Sequence, residues 1–263
     1  MNGRQQVFVD IGNSRIKFAW NCSASTGGLR GERCPSGVLR NFCCTSQSVK
    51  DFSLPDAGAS PTEWVVCSVN RNGANLLQTK IAESRPNDSV RVLTVDDLPI
   101  RVQTEFEDEV GVDRLCAGIA ANFRCLDTGS SAIYIDSGTA VTINAIDQQG
   151  DFLGGVIFPG ISTCLKSLRE NTSALPYVQF EAPPPENRII GKNTIEAITN
   201  GVYWSNLGAV ESIVSRIKRR LSDPPQVFVT GGFGVHLCRQ HPRWDWVPYL
   251  VLEGVAIAAG SDA

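Results

Sequence analysis

Two stretches, VFVDIGNSRIKFAW at 7–20 and IYIDSGTAVTINAI at 133–146, align without a gap. Each begins with three β-prone apolar residues, then Asp, one further residue, Gly and a small polar residue, after which apolar alternation resumes. Gly and Asn tolerate positive φ, so each stretch reads as two short strands around a tight turn. One such turn would be ordinary hairpin chemistry. Its recurrence 126 residues later, from Asp10 to Asp136 in a chain of 263 residues, is what constrains the fold. A unit repeated at about half the chain length points to a duplicated α/β pair, residues 1–125 and 126–263, facing a cleft. The closing helix in LVLEGVAIAAG (250–260) is free to return to the first domain.

The remaining pattern agrees with an α/β class, because strands alternate with helices. EWVVCSVN (63–70) and SVRVLTV (89–95) read as strands, and RNGANLLQTKIAES between them as a helix. Leu115, Ile119 and Phe123 have helical spacing within 111–125. After the second β-turn-β unit, 150–161 extends a meander and a helix begins near Ser162. Residues 191–220 carry one long helix or two in series, and VFVTGG (227–232) is a strand running into paired glycines. Residues 21–62 hold one irregular strand and variable loops.

Composition excludes several classes. A net charge of −3 argues against a broad nucleic-acid footprint. The basic run RIKRR (216–220) falls late in an amphipathic helix, where it reads as a solvated helix end. No apolar run approaches the roughly 20 residues of a membrane span. Nine cysteines with no C-x-x-C spacing, and only His236 and His241 beside them, argue against zinc. Several sit in apolar runs as small core residues, and together with the missing signal sequence they point to the reducing cytoplasm.

The D-x-G turns have the composition of a phosphate clamp. Polyphosphate binding needs close backbone N–H donors and a carboxylate-held divalent ion. Asp10 would stand near magnesium and phosphate, with Gly12, Asn13 and Ser14 supplying the turn and Lys17 neutralising charge. Asp136, Gly138 and Thr139 repeat the arrangement. Alone, Asp113 and Arg114 read as an acidic helix start and a surface ion pair, and Thr194 as an early-helix hydrogen-bonder.

The paired turns resemble the acetate and sugar kinase/Hsp70/actin superfamily. The ordered strings DIGNSRIK, GVDR, DSGTAVT, GGVIFPG and GKNTIEAITNG are similar to those of type III pantothenate kinases. The resemblance implies duplicated actin-like (ribonuclease H-like) domains with a nucleotide cleft between them. It also implies ATP-dependent phosphorylation of pantothenate to 4'-phosphopantothenate, the entry to coenzyme A. On that resemblance Asp113 is the general base, and Asp10, Ile11, Gly12, Asn13, Ser14, Arg15, Ile16, Lys17 and Thr139 bind ATP. Gly111, Val112, Asp113, Arg114 and Thr194 bind pantothenate, Thr194 across a subunit interface. Asp136 holds a monovalent cation, K+ or NH4+, and Asp10 serves Mg2+-ATP. A homodimer with its active site at the interface is implied, with no nucleic acid or membrane partner.

One departure stands out. Where the family places a tyrosine that helps shape the pantothenate pocket, seven residues before the glycine of G-x-D-R, this chain has Thr104, in QTEFEDEVGVDR, a substrate-binding candidate by its position alone. Phe106 offers replacement apolar surface, and the acidic side chains around it are expected to face solvent. Two alternatives therefore stay open: a nucleotide- or pantothenate-binding regulatory protein with little catalysis, and a kinase of the same superfamily for another small hydroxyl compound.

Overall fold

The computed structural model describes residues 5–21, 32–33, 39 and 42–260. Much of the cysteine-rich 21–44 stretch, Cys22 and Cys34 included, lies outside the described residues. The first half of the chain runs β1 (Gln5–Ile11), β2 (Arg15–Asn21), β3 (Glu32–Arg33), β4 (Phe42–Ser48), β5 (Thr62–Ser68), α1 (Arg71–Ser84), β6 (Ser89–Val92) and α2 (Val112–Cys125). The second half runs β7 (Ala132–Ser137), β8 (Ala140–Ile146), β9 (Phe152–Pro159), α3 (Ile161–Glu170), α4 (Thr194–Lys218), β10 (Gln226–Thr230), α5 (Gly234–Gln240), β11 (Asp245–Trp246) and α6 (Leu250–Ala258). These elements form two units. One comprises the described residues up to Thr128 with Gly150–Phe152 and the stretch from Tyr249 on; the other comprises Gly129–Gln149 and Leu153–Pro248.

The first unit is built on a mixed sheet of order β3-β4-β2-β1-β5-β6. β1 runs antiparallel to β2, with Asp10 opposite Lys17, and parallel to β5, with Asp10 beside Cys67. Successive side chains alternate across a strand. Val7, Val9 and Ile11 therefore join Trp64, Val66 and the α1 residues Leu77 and Ile81 in one core. Phe8, Asp10, Val65 and Cys67 are left for the opposite face. α1 begins where Asn70 caps it, its side chain accepting the Gly73 N–H at 3.0 Å. α2 buries Leu115, Cys116, Ile119 and Ala120, and α6 packs along it. The approach is close at Gly254, where a Cβ would stand 1.8 Å from the Cys116 carbonyl oxygen.

The second unit has a five-stranded sheet of order β11-β10-β7-β8-β9. β7 is antiparallel to β8, with Asp136 opposite Thr142, and parallel to β10, with Thr230 beside Asp136. In both units, then, the Asp-bearing strand is hairpinned to the next strand and flanked on its other side by a parallel one. Ile133, Ile135, Ile143, Val227 and Val229 meet Val202, Tyr203, Leu207 and Val210 of α4 in the core.

Residues 194–218 form one 25-residue helix rather than two. β4 is the strand expected between 21 and 62. α5 and β11 fall where the sequence offers only a strand ending in glycines. The glycine-rich start of α5 has poor helix propensity, and tertiary contact decides it: a Cβ on Gly234 would stand 2.2 Å from the Trp246 ring. The turns also differ from expectation. Among the described residues no non-glycine has positive φ, and neither Gly12 nor Gly138 does. Both D-x-G turns close by hydrogen bonds instead.

Candidate functional site

In the first turn, the Gly12 N–H donates to the Arg15 carbonyl at 2.9 Å. The Asn70 side chain donates to the Gly12 carbonyl at 3.3 Å, and the Val69 N–H to that of Ile11 at 3.1 Å. The turn is thereby tied to the end of β5 and the start of α1. Asn13, Ser14 and Arg15 are exposed, while Ile11 and Ile16 are buried in the core. Asp10 is only 5% exposed and pairs with Lys17, Nζ to Oδ2 at 2.9 Å. Both residues assigned to phosphate and magnesium thus stand together, each neutralising the other.

Gly111 precedes α2, and Asp113 lies in its first turn at the positive pole of the helix. The Arg114 N–H donates to Asp113 Oδ1 at 2.8 Å. A Cβ on Gly111 would stand 2.6 Å from that same oxygen, so glycine gives the carboxylate its room. Val112 and Arg114 are half-buried, and the Arg114 guanidinium lies 5.4 Å from the Phe152 ring centroid. Phe152 is held in turn by the 101–103 segment: its N–H donates to Arg101 and its carbonyl accepts from Gln103. The Thr104 hydroxyl donates to the Phe106 carbonyl at 3.4 Å, and Phe106 is 59% exposed. Glu105, Glu107, Asp108 and Glu109 are exposed, as expected.

A buried thiol ties these two groups together. Cys67, on β5 beside Asp10, is pushed well up by a hydrogen bond with Cys116, by complete burial, and by the negative charges of Asp10 and Asp113. Two carboxylates far apart in sequence therefore act on one sulfur, on the sheet face that α2 covers. Sequence reasoning missed Cys67, Asn70 and Phe152. The strand-to-helix step at 68–71 carried a signal for Asn70, an N-cap residue; nothing marked Phe152.

In the second unit, Gly138 donates to the Ala140 carbonyl at 3.1 Å. The Thr139 carbonyl accepts from the Gly160 N–H at 3.0 Å and the Thr163 hydroxyl at 2.6 Å. Asp136 is half-buried, and Gly231, the first of the paired glycines after β10, lies against it. Gly231 has φ +86°, and a Cβ there would stand 2.4 Å from Asp136 Oδ1 and 2.6 Å from the Ser137 backbone. Gly231→Ala combines left-handed strain with overlap and should cost roughly 2–4 kcal/mol, read as a lowered thermal midpoint; an unchanged midpoint would contradict this packing.

Thr194 opens α4 and is exposed. The helix is capped one residue earlier by Asn193, which accepts the Glu196 N–H at 2.9 Å. Among the described residues no group of three or more His, Cys, Asp or Glu is placed to hold a metal. Asp10 and Asp136 each offer one carboxylate, a donor of the kind magnesium takes alongside phosphate oxygens.

Comparison with known proteins agrees with this architecture. A crystal structure from Campylobacter jejuni, described as a Baf family transcriptional activator, superposes with a TM-score of 0.55 over 97% of both chains at 17% identity. The chain is thus an α/β protein of that fold. A model of type III pantothenate kinase matches residues 6–216. The type III pantothenate kinase of Akkermansia muciniphila is 33% identical over 260 residues, covering 97% of this chain and 98% of that one. That of Dehalococcoides mccartyi is 35% identical over 159 residues, so the chain spans 59% of that relative's length. This chain belongs to the type III pantothenate kinase family.

Proposed function

We propose that the chain phosphorylates pantothenate from ATP. What supports this is geometry: Asp10 stands beside Cys67 in the sheet, and α2, whose first turn carries Asp113, packs on β5, the strand of Cys67. Asp113 accepts the proton of the pantothenate hydroxyl as its oxygen bonds to the γ-phosphorus. The bond from that phosphorus to the bridging oxygen breaks, and ADP leaves. Arg114, fixed over Phe152, offers its planar fork to the pantothenate carboxylate. The Asp10 turn receives phosphate through Gly12, Asn13 and Ser14, with Lys17 turning from Asp10 to phosphate. Asp10 and Asp136 would hold magnesium and a monovalent cation respectively, which supply charge neutralisation to the transferring oxygens. Each unit would be one copy of a duplicated actin-like domain.

The proposal includes a homodimer in which Thr194 serves the partner's pantothenate. Its support is the apolar surface near Thr194: Ile189, Ile190 and Ile195 are 58%, 74% and 56% exposed. A cytoplasmic location is also proposed. Among the described residues no helix is long and apolar enough to cross a membrane.

A coupled ATPase assay with and without pantothenate, in potassium and then in sodium, tests the reading. Turnover that needs pantothenate and potassium or ammonium is expected. Binding of both ligands without turnover would favour the regulatory alternative, and a better acceptor than pantothenate would favour a different kinase.

Gly12 gives a second test. A Cβ there would meet only the Arg15 carbonyl, at 3.4 Å, so the fold itself tolerates a methyl group. Gly12→Ala is therefore expected to keep its thermal midpoint while KM for ATP rises about tenfold, the effect of roughly 1.4 kcal/mol of lost phosphate contact. A normal KM would remove Gly12 from the ATP loop.

A further inference from the structure

The basic run at the end of α4 is exposed, as its sequence indicates, and it borders a groove. Arg216, Arg219 and Arg220 line a groove of about 570 Å³ in the second unit. Its other walls are apolar: Leu153 and Val156 from β9, Ile217 from the last turn of α4, and Leu221 just past that helix. Leu153 and Val156 are 37% and 38% exposed. The volume lies within the usual range for small-molecule sites.

The charges in this groove are uncompensated. Among the described residues no carboxylate lines it. Among the described residues none of the three guanidiniums is in an ion pair; Arg216 and Arg219 donate only to the Ser212 and Ser215 hydroxyls, at 3.5 and 2.8 Å. The C-terminal pole of α4 contributes about half a negative charge, which leaves the three positive charges in excess. A bare inorganic anion would use the arginines and leave the apolar wall idle, and an uncharged apolar molecule would do the reverse.

The geometry points to a binding site for an amphiphilic organic phosphate: an apolar body against Leu153, Val156, Ile217 and Leu221, with its phosphate held by the guanidinium forks. Arg suits phosphate because its planar donors engage two oxygens together. The site uses none of the residues assigned to phosphoryl transfer.

Octyl phosphate, below its micelle concentration, is the probe, titrated calorimetrically into the full chain beside inorganic phosphate and octanol. Octyl phosphate is expected to bind more tightly than either control. Arg216→Gln/Arg220→Gln should weaken it by about tenfold or more, and Val156→Ser should weaken it as well, both with unchanged thermal midpoint and pantothenate-dependent turnover. Inorganic phosphate binding equally well would reduce the groove to a basic patch, and octanol binding equally well to an apolar one. Absence of octyl phosphate binding, or equal binding by wild type and the double arginine variant, would overturn the proposal outright. So would a change of sedimenting mass in that variant, since the groove would then belong to a second copy of the chain.

Discussion

Asp113→Asn is expected to lower turnover by about two orders of magnitude or more, the usual worth of a positioned base, while the thermal midpoint stays put. The local geometry makes the substitution a clean one. Asp113 Oδ1 accepts the Arg114 N–H at 2.8 Å, and an amide oxygen can still accept that bond. Gly111 leaves the same space in front of either side chain. The helix start is retained and proton acceptance is lost. In steady-state assays kcat should fall with little change in KM for pantothenate, because Arg114 and its Phe152 platform are untouched. The effect should also differ in kind from that of Gly12→Ala, which acts on ATP. A variant turning over at the wild-type rate would exclude Asp113 as the base and leave the positive helix pole and Arg114 as mere substrate contacts.

Much of this architecture could be read from the residues because local pattern and tertiary packing agree. The two D-x-G stretches fold as hairpins, each beside a parallel strand, since their alternation leaves one apolar face to bury. Leu115 and Ile119 are buried on α2 as their spacing requires; Phe123, on the same periodic stripe, is 37% exposed near the helix end. What stayed illegible depends on contacts distant in sequence. α5 starts in glycines and exists because Trp246 packs on Gly234. Phe152 meets Arg114 only because the 101–103 segment pairs with the start of β9. The turn glycines were legible as positions but not in conformation: positive φ appears at Gly231, where Asp136 crowds it, and at neither Gly12 nor Gly138. Motif spacing singled out Asp10 as a candidate, and only the sheet register placed it beside Cys67.

Arg124→Met should produce a large loss of stability. Glu253 on α6 is 1% exposed, and Arg124 on α2 donates to both of its carboxylate oxygens at 2.7–2.9 Å. Removing one member of such a pair strands the other charge, at about 3–5 kcal/mol, which corresponds to a fall of roughly 10 °C in thermal midpoint. The loss should depend on pH. Burial already pushes the Glu253 carboxyl up from its ordinary value, and the hydrogen bonds and charge of Arg124 pull it back. Without Arg124 only the upward push remains. A carboxyl raised in the folded state favours the fold in its protonated form. That contribution is complete below the ordinary glutamate value and is lost as pH rises through the raised one. The deficit of the variant should therefore be widest at neutral pH and narrow towards pH 5, the opposite of ordinary acid destabilisation. Arg124→Met/Glu253→Leu should recover most of the midpoint at neutral pH and lose the pH dependence, because an apolar pair of similar volume strands no charge. A deficit that is the same at both pH values would mean that lost packing of the arginine stem, rather than the buried carboxylate, governs how α6 secures the helix carrying Asp113 and Arg114.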